Sequence, residues 1–200
     1  MKIASIVEGE GDVAAFPILL RRAAHALGLH DLPVLLPPVR VSRSLIAREA
    51  ELRRYVELLA RKVGPEDAIV IALDADDDCP ARLGPLLSGW AFAQRPDRRS
   101  LVVVIPREFE AWFLASAVSL RGKRGLPSDL EPPDRDPEQV RDAKGWLARR
   151  MPRRYHETVD QPAMTACFDL QAARSAASFE RFLRRFAALL HCELPDPLGR

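Results

Sequence analysis

The 200-residue chain is predicted to be an α/β domain, with a mainly parallel sheet flanked by helices. Three observations lead there. Apolar runs within residues 2–8, 68–73 and 100–105 lack the alternation of a half-exposed strand, as expected where both faces are covered. Segments of helical spacing separate these runs. Two of the runs end in acids: IASIVEGEGD in Glu8, Glu10 and Asp12, and AIVIALDADDD in Asp74, Asp76, Asp77 and Asp78.

Residues 2–8 form the first predicted strand. Asp12 is placed to cap a helix over 13–27, with Ala15, Ile18, Leu19 and Ala23 on one face and Gly28 as its stop. VLLPPVRV, residues 34–41, reads as a second strand. Its Pro37 and Pro38 suggest an edge position or a loop, because proline cannot donate to a ladder. Residues 44–63 carry a helical stripe of Leu45, Leu52, Val56 and Leu59, closed by Gly64-Pro65. Residues 68–73 are the third strand, 80–94 a helix opened by Pro80, and 100–105 the fourth strand. A helix is expected over 107–118, its first turn carrying Glu108 and Glu110. Gly, Pro and charge then dominate 119–137, which marks a linker or loop. Helical spacing resumes over 138–150 and 178–191. Within 174–190, Phe179, Phe182, Leu183, Phe186 and Leu190 define an inward stripe. The expected organisation is a core over 1–118, a linker over 119–137 and a helical C-terminal subdomain over 138–200 packed on the core.

Hydrophobic content of 48% and charged content of 29% suit a soluble globular protein. No apolar run approaches the roughly 20 residues of a spanning helix, so no membrane is expected. The opening MKIASIVEGEGD passes from strand to acids without a signal peptide's cleavage pattern, and the expected location is the cytoplasm. Cys79, Cys167 and Cys192 form no CxxC pair, which argues against a zinc knuckle or a disulfide framework. The net charge of +2 is mild. The only lysines are Lys2, Lys62, Lys123 and Lys144, so arginine carries almost all the positive charge. Codon bias in a GC-rich genome accounts for this; phosphate contact is the functional alternative.

Ligands of open α/β sheets bind at the carboxyl ends of strands. Two carboxylate clusters at two such ends repel each other unless a cation lies between them, and Mg²⁺ (or Mn²⁺) suits oxygen donors. On an extended backbone Asp74 and Asp76 leave on one face, and Glu8 meets them if the two strands are neighbours. Solvated turn and cap acids are the structural alternative. Gly9-Glu10-Gly11-Asp12-Val13-Ala14 fits a dinucleotide-binding turn. Its acids oppose a pyrophosphate, however, and the second strand lacks the expected terminal acid, so no such cofactor is expected. Glu108 and Glu110 sit two apart on the expected helix. Either one of them reaches the site or both simply favour a helix N-terminus. Lys144 is either a solvated helix lysine or a cation for a scissile phosphate. Tyr155 and His156 are further acid–base candidates, but the four histidines show no metal spacing. No GxSxG and no GxxxxGK[ST] is present.

Glu8-Gly9 after one strand and Asp74-Ala75-Asp76 after a later one resemble the TOPRIM domain of type II topoisomerases, bacterial primases and OLD-family nucleases. Over nearly its whole length the chain also resembles an uncharacterised TOPRIM-like family, a numbered domain of unknown function (DUF4276). VEGEGD, ALDADDD, REFEAWFLA, DAKGWL and YHETVDQPAMTACFDLQAARSAASFERF carry that similarity. The resemblance implies a Rossmann-like TOPRIM sheet with a divalent metal at Glu8, Asp74 and Asp76. By similarity to OLD nucleases, Asp12 and Glu110 join the metal set and Lys144 the catalytic set.

The expected activity is Mg²⁺-dependent hydrolysis of DNA or RNA phosphodiesters, with Glu8, Asp74, Asp76 and Lys144 as catalytic residues. The resemblance adds phage-defence or mobile-element settings and an ATPase partner protein. The alternatives are a non-catalytic nucleic-acid-binding or regulatory subunit, and a hydrolase of small phosphoesters.

Overall fold

The computed structural model describes residues 1–195. Its strands are β1 (Lys2–Val7), β2 (Val34–Leu35), β3 (Val39–Arg40), β4 (Ala68–Asp74) and β5 (Arg99–Ile105), all joined in parallel. The sheet order is β2–β1–β4–β5, with β3 continuing the β2 edge along β1. That edge is broken where the sequence is: Lys2 and Ile3 pair with Val34 and Leu35, Ile6 and Val7 with Val39 and Arg40. Pro37 and Pro38, without N–H groups, occupy the gap.

The helices are α1 (Glu10–Ala26), α2 (Arg43–Ile46), α3 (Glu49–Ala60), α4 (Pro80–Gln94), α5 (Ala111–Ala115), α6 (Ala143–Ala148), α7 (Glu157–Thr165), α8 (Leu170–Ala173) and α9 (Ala177–Leu189). Alternate strand residues bury into different layers. Val7, Val70, Ala72, Leu101 and Val103 face α1 and α5–α9. Ile6, Ile69, Ile71, Leu73 and Val104 face α2–α4. Residues 138–195 supply α6–α9 to the first layer, with α7 lying along α1 and α9 along β5.

An aromatic cluster fills that layer. The Trp112 ring lies 5.1 Å from Phe179 and 5.7 Å from Phe182, and its indole N–H donates to Ser178 Oγ at 2.8 Å. Each such buried ring contributes ~1.5–3 kcal/mol through removal from water. The stripe expected on α9 is buried at Phe179, Phe182, Leu183 and Phe186; Leu189 completes it, and Leu190 is only partly covered.

Four expected elements differ in detail. Asp12 is not the cap of α1 but its third residue, and Oδ2 reaches back to accept from Gly9 N at 2.9 Å. The helix over 44–63 is two helices, because Arg48 is extended at φ −105° and ψ 122°. The helix over 107–118 is reduced to α5 followed by a 3₁₀ turn at Ala117–Leu120. Arg107 takes a left-handed φ of 64°, and the turn that follows carries Phe109 and Glu110 into the core before the helix starts. The helix over 138–150 is α6 alone, preceded by a 3₁₀ turn at Pro137–Gln139. Asp142 caps α6 by accepting from Gly145 N at 2.8 Å. No helix among the described residues is long and apolar enough to cross a membrane.

Candidate functional site

β1 and β4 are adjacent at the centre of the sheet, so Glu8 and Asp74 leave neighbouring strand ends. The side-chain alternation sends them to different sides. Asp74 follows Val70 and Ala72 toward α1 and α5, whereas Glu8 follows Ile6 toward α2.

Around Asp74 stand Asp12 of α1, Glu110 at the start of α5 and Lys144 of α6. Burial raises the Asp74 carboxyl well above the usual range, and Asp12 and Glu110 raise it further. Glu110 is fully buried. Its Oε1 accepts from Tyr155 Oη at 2.8 Å, while its Oε2 is buried without a hydrogen-bond partner. Burial lifts Glu110 to about 7 against the opposing pull of Lys144 and Tyr155. Tyr155 is also raised, by burial and then by Glu110, so its phenol stays a donor. Lys144 bonds Glu157 Oε2 at 3.1 Å. Burial opposes its charge, but Glu110, Glu157 and Asp74 outweigh that and raise it. Lys144 N donates to Glu108 Oε2 at 2.9 Å, so Glu108 positions α6 while Glu110 turns inward.

Asp12 is already engaged on both oxygens, by Gly9 N and by Gln161 Nε2 at 2.6 Å. A Cβ at Gly9 would lie 2.9 Å from Asp12 Oδ2, so a side chain there would push that carboxylate aside. Gly11 is required, because a Cβ would stand 2.7 Å from the Glu157 carbonyl oxygen of α7. The glycines of this loop thus serve close packing of α1 on α7, as well as the turn.

On the other side, Glu8 is raised by burial and by Asp76, with Arg43 opposing. Its Oε2 is buried and unpartnered. The strand ends at Asp74, and Asp76 adopts a left-handed φ of 51°. The extended-chain rule that would align Asp74 with Asp76 therefore lapses, and Asp76 points outward near Arg43 at 4.0 Å. Arginines from other elements clamp this loop. Arg43 pairs with Asp78, and Arg107 pairs with Asp77 and donates to Asp76 O at 3.0 Å; separately, Arg40 pairs with Glu10 at the start of α1 at 3.2 Å.

The expected residues thus fall into two groups: Asp12, Asp74, Glu110 and Lys144 in one, Glu8 and Asp76 in the other. Glu8 is near enough to affect Asp74. Among the described residues, no three His, Cys, Asp or Glu side chains stand close enough to hold an ion together. His156 contributes its backbone N–H to Asp160 at 2.8 Å, and its side chain is exposed. Arg43, Arg107, Glu157 and Gln161 were not singled out from the sequence. Their elements meet the site only after folding, and nothing in their own spacing marks them.

Residues 7–187 match the family model described as "Domain of unknown function (DUF4276)". No curated protein and no solved structure matches.

Proposed function

The chain belongs to the DUF4276 family, and on that premise we propose that it is a divalent-metal-dependent phosphodiester hydrolase acting on DNA or RNA, with a TOPRIM-type site. The parallel order of β1 and β4, with Glu8-Gly9 after one and Asp74-Ala75-Asp76 after the other, supports the TOPRIM reading.

One observation carries the proposal. Glu8 Oε2 and Glu110 Oε2 are buried without partners, and Asp74 is partly buried among acids. A buried carboxylate without a partner costs several kcal/mol, on the order of 1–3 or more. The raised values of Glu8, Asp74 and Glu110 mean that protons meet part of that cost. A cation would replace those protons, and an all-carboxylate donor set fits a hard ion such as Mg²⁺ or Mn²⁺. Glu8, Asp74 and Glu110 are the candidate donors, with Asp12 and Asp76 beside them; no three of these side chains meet as they stand, so binding would have to draw the Glu8 and Asp74 sides together. Such an ion polarises a phosphoryl oxygen and lowers the pKa of a bound water. Lys144, kept cationic by its acidic surroundings, would bind the phosphate. Tyr155 holds Glu110 in orientation. An ATPase partner and a phage-defence setting remain part of the same proposal.

A second reading, a non-catalytic nucleic-acid-binding or regulatory subunit, is favoured by the prior engagement of Asp12 with Gln161 and Lys144 with Glu157. The test is cleavage of plasmid, single-stranded DNA and RNA with Mg²⁺ or Mn²⁺, alongside Mn²⁺ binding by electron paramagnetic resonance. Wild type should cleave one substrate class and bind Mn²⁺, and Asp74→Asn should lose both. Binding without cleavage by the isolated chain selects the second reading. Absence of both refutes the metal site.

A further inference from the structure

Away from the acidic site, the sheet ends at β5, whose outer edge is not covered by another strand among the described residues. In a parallel pair, alternate residues turn both backbone groups to one side. Ile105 O accepts from Ala75 N on the β4 side. Val102 O points the other way, because it accepts from Arg185 Nη1 at 2.8 Å. Ser100, Val102 and Val104 therefore present their N–H and C=O groups outward.

A groove of about 530 Å³ runs along this edge, between α4 and α9. That is within the roughly 300–1,000 Å³ of ligand clefts. The α4 wall combines the small residues Ala81, Gly84 and Ser88 with Pro80 and Pro85. The α9 wall carries Arg181 and Arg185. Neither has an acidic partner among the described residues, and Arg185 is depressed by burial and then by Arg181. The edge is unpaired but not open: Val102 is 1% and Val104 8% exposed, and Arg185 lies over the Val102 carbonyl, so a strand can pair here only once Arg185 moves aside. The two mutually repelling guanidinium groups attract negative charge. A second copy of this edge would bring two more arginines and is disfavoured.

We propose that the β5 edge and the α4–α9 groove form a docking site for an extended acidic peptide of a partner protein, added as a further strand and fixed by Arg181 and Arg185. Strand addition supplies main-chain hydrogen bonds, and alternate side chains supply specificity. In docking, Arg185 exchanges the Val102 carbonyl for a peptide carboxylate. In the free protein Arg185 covers the edge and so blocks unspecific pairing, and the arginines select against basic or neutral strands.

The probe is a fluorescent peptide of alternating Val and Glu, titrated by anisotropy, with amide exchange read at Val102 and Val104. Binding with protection of both amides is expected. Reversing both arginines (R181E with R185E) should weaken it on the order of tenfold or more. The same peptide N-methylated at alternate residues tests strand pairing and should not bind, although its charge is unchanged. Equal binding of the N-methylated or a Val–Lys peptide, or no binding at millimolar peptide, overturns the proposal. So does preferential binding of single-stranded oligonucleotide to this edge, which would make the arginines phosphate contacts. Far-ultraviolet circular dichroism of the reversed variant establishes that loss of binding is not loss of fold.

Discussion

Replacing Glu110 with Gln should stabilise the protein in metal-free buffer at pH 8, although Glu110 is fully buried and hydrogen-bonded. Burial moves its carboxyl from an ordinary 4.5 to about 7. Between those values the folded state keeps a proton that the unfolded chain has released. Stability therefore falls as pH rises through this window, and the full cost is present above pH ~7. At about 1.4 kcal/mol per pH unit the cost comes to ~3 kcal/mol. Glutamine keeps the oxygen that accepts from Tyr155. Its amide N–H₂ replaces the unpartnered Oε2 and returns about 1 kcal/mol of penalty. The net gain is ~2 kcal/mol, or ~4–8 °C in Tm for a chain of this size. Urea unfolding of both proteins from pH 4 to pH 8.5 measures it. By the same balance the gap should close near pH ~5 and reverse to about 1 kcal/mol in favour of wild type at pH 4, and it should narrow at pH 8 when Mg²⁺ is added, because an ion bound only by the folded wild type stabilises it. A variant less stable than wild type at pH 8 without metal would refute the reasoning, since the carboxylate would then have a partner.

Three further outcomes follow from the packing. Gly11→Ala forces a Cβ against the backbone of α7 and should cost ~1–3 kcal/mol, whereas Gly89→Ala, with nothing within 4 Å of its Cβ, should gain up to ~1 kcal/mol; urea midpoints at unchanged slope compare them. Asp160 is fully buried, and burial alone would raise it. Hydrogen bonds from Arg153, His156 N and Arg124 hold it instead at about 2, below its ordinary 3.8. Its contribution is present above pH ~4 and lost as pH falls toward 2, so Asp160→Asn should cost ~2–4 kcal/mol at pH 7, with the difference shrinking in acid melts. Ser178→Ala strips the partner from the Trp112 indole N–H and should cost ~1–3 kcal/mol, seen as a lower urea midpoint with an unchanged near-ultraviolet spectrum shape.

The sequence alone determined the strands and their order along the chain. Continuous apolar runs at 68–73 and 100–105 are legible because a strand covered on both faces has no other pattern. It also marked the broken edge at Pro37-Pro38, the inward aromatic face of α9, and the acids at two strand ends. These are local properties, set by backbone chemistry and by which side chains avoid water. Tertiary structure decided what neighbours what. It made β1 adjacent to β4, carried Glu110 into the core through a left-handed Arg107, and turned Asp76 away from Asp74 through a left-handed backbone at Asp76 itself. It brought Lys144, Tyr155, Glu157 and Gln161 to the Asp74 side from segments 70 to 87 positions away in sequence, and set Arg43 and Arg107 on the other. A charge in one helix gives no local sign of the carboxylate it will meet. That pairing depends on burial and distance, which exist only once the layers have packed.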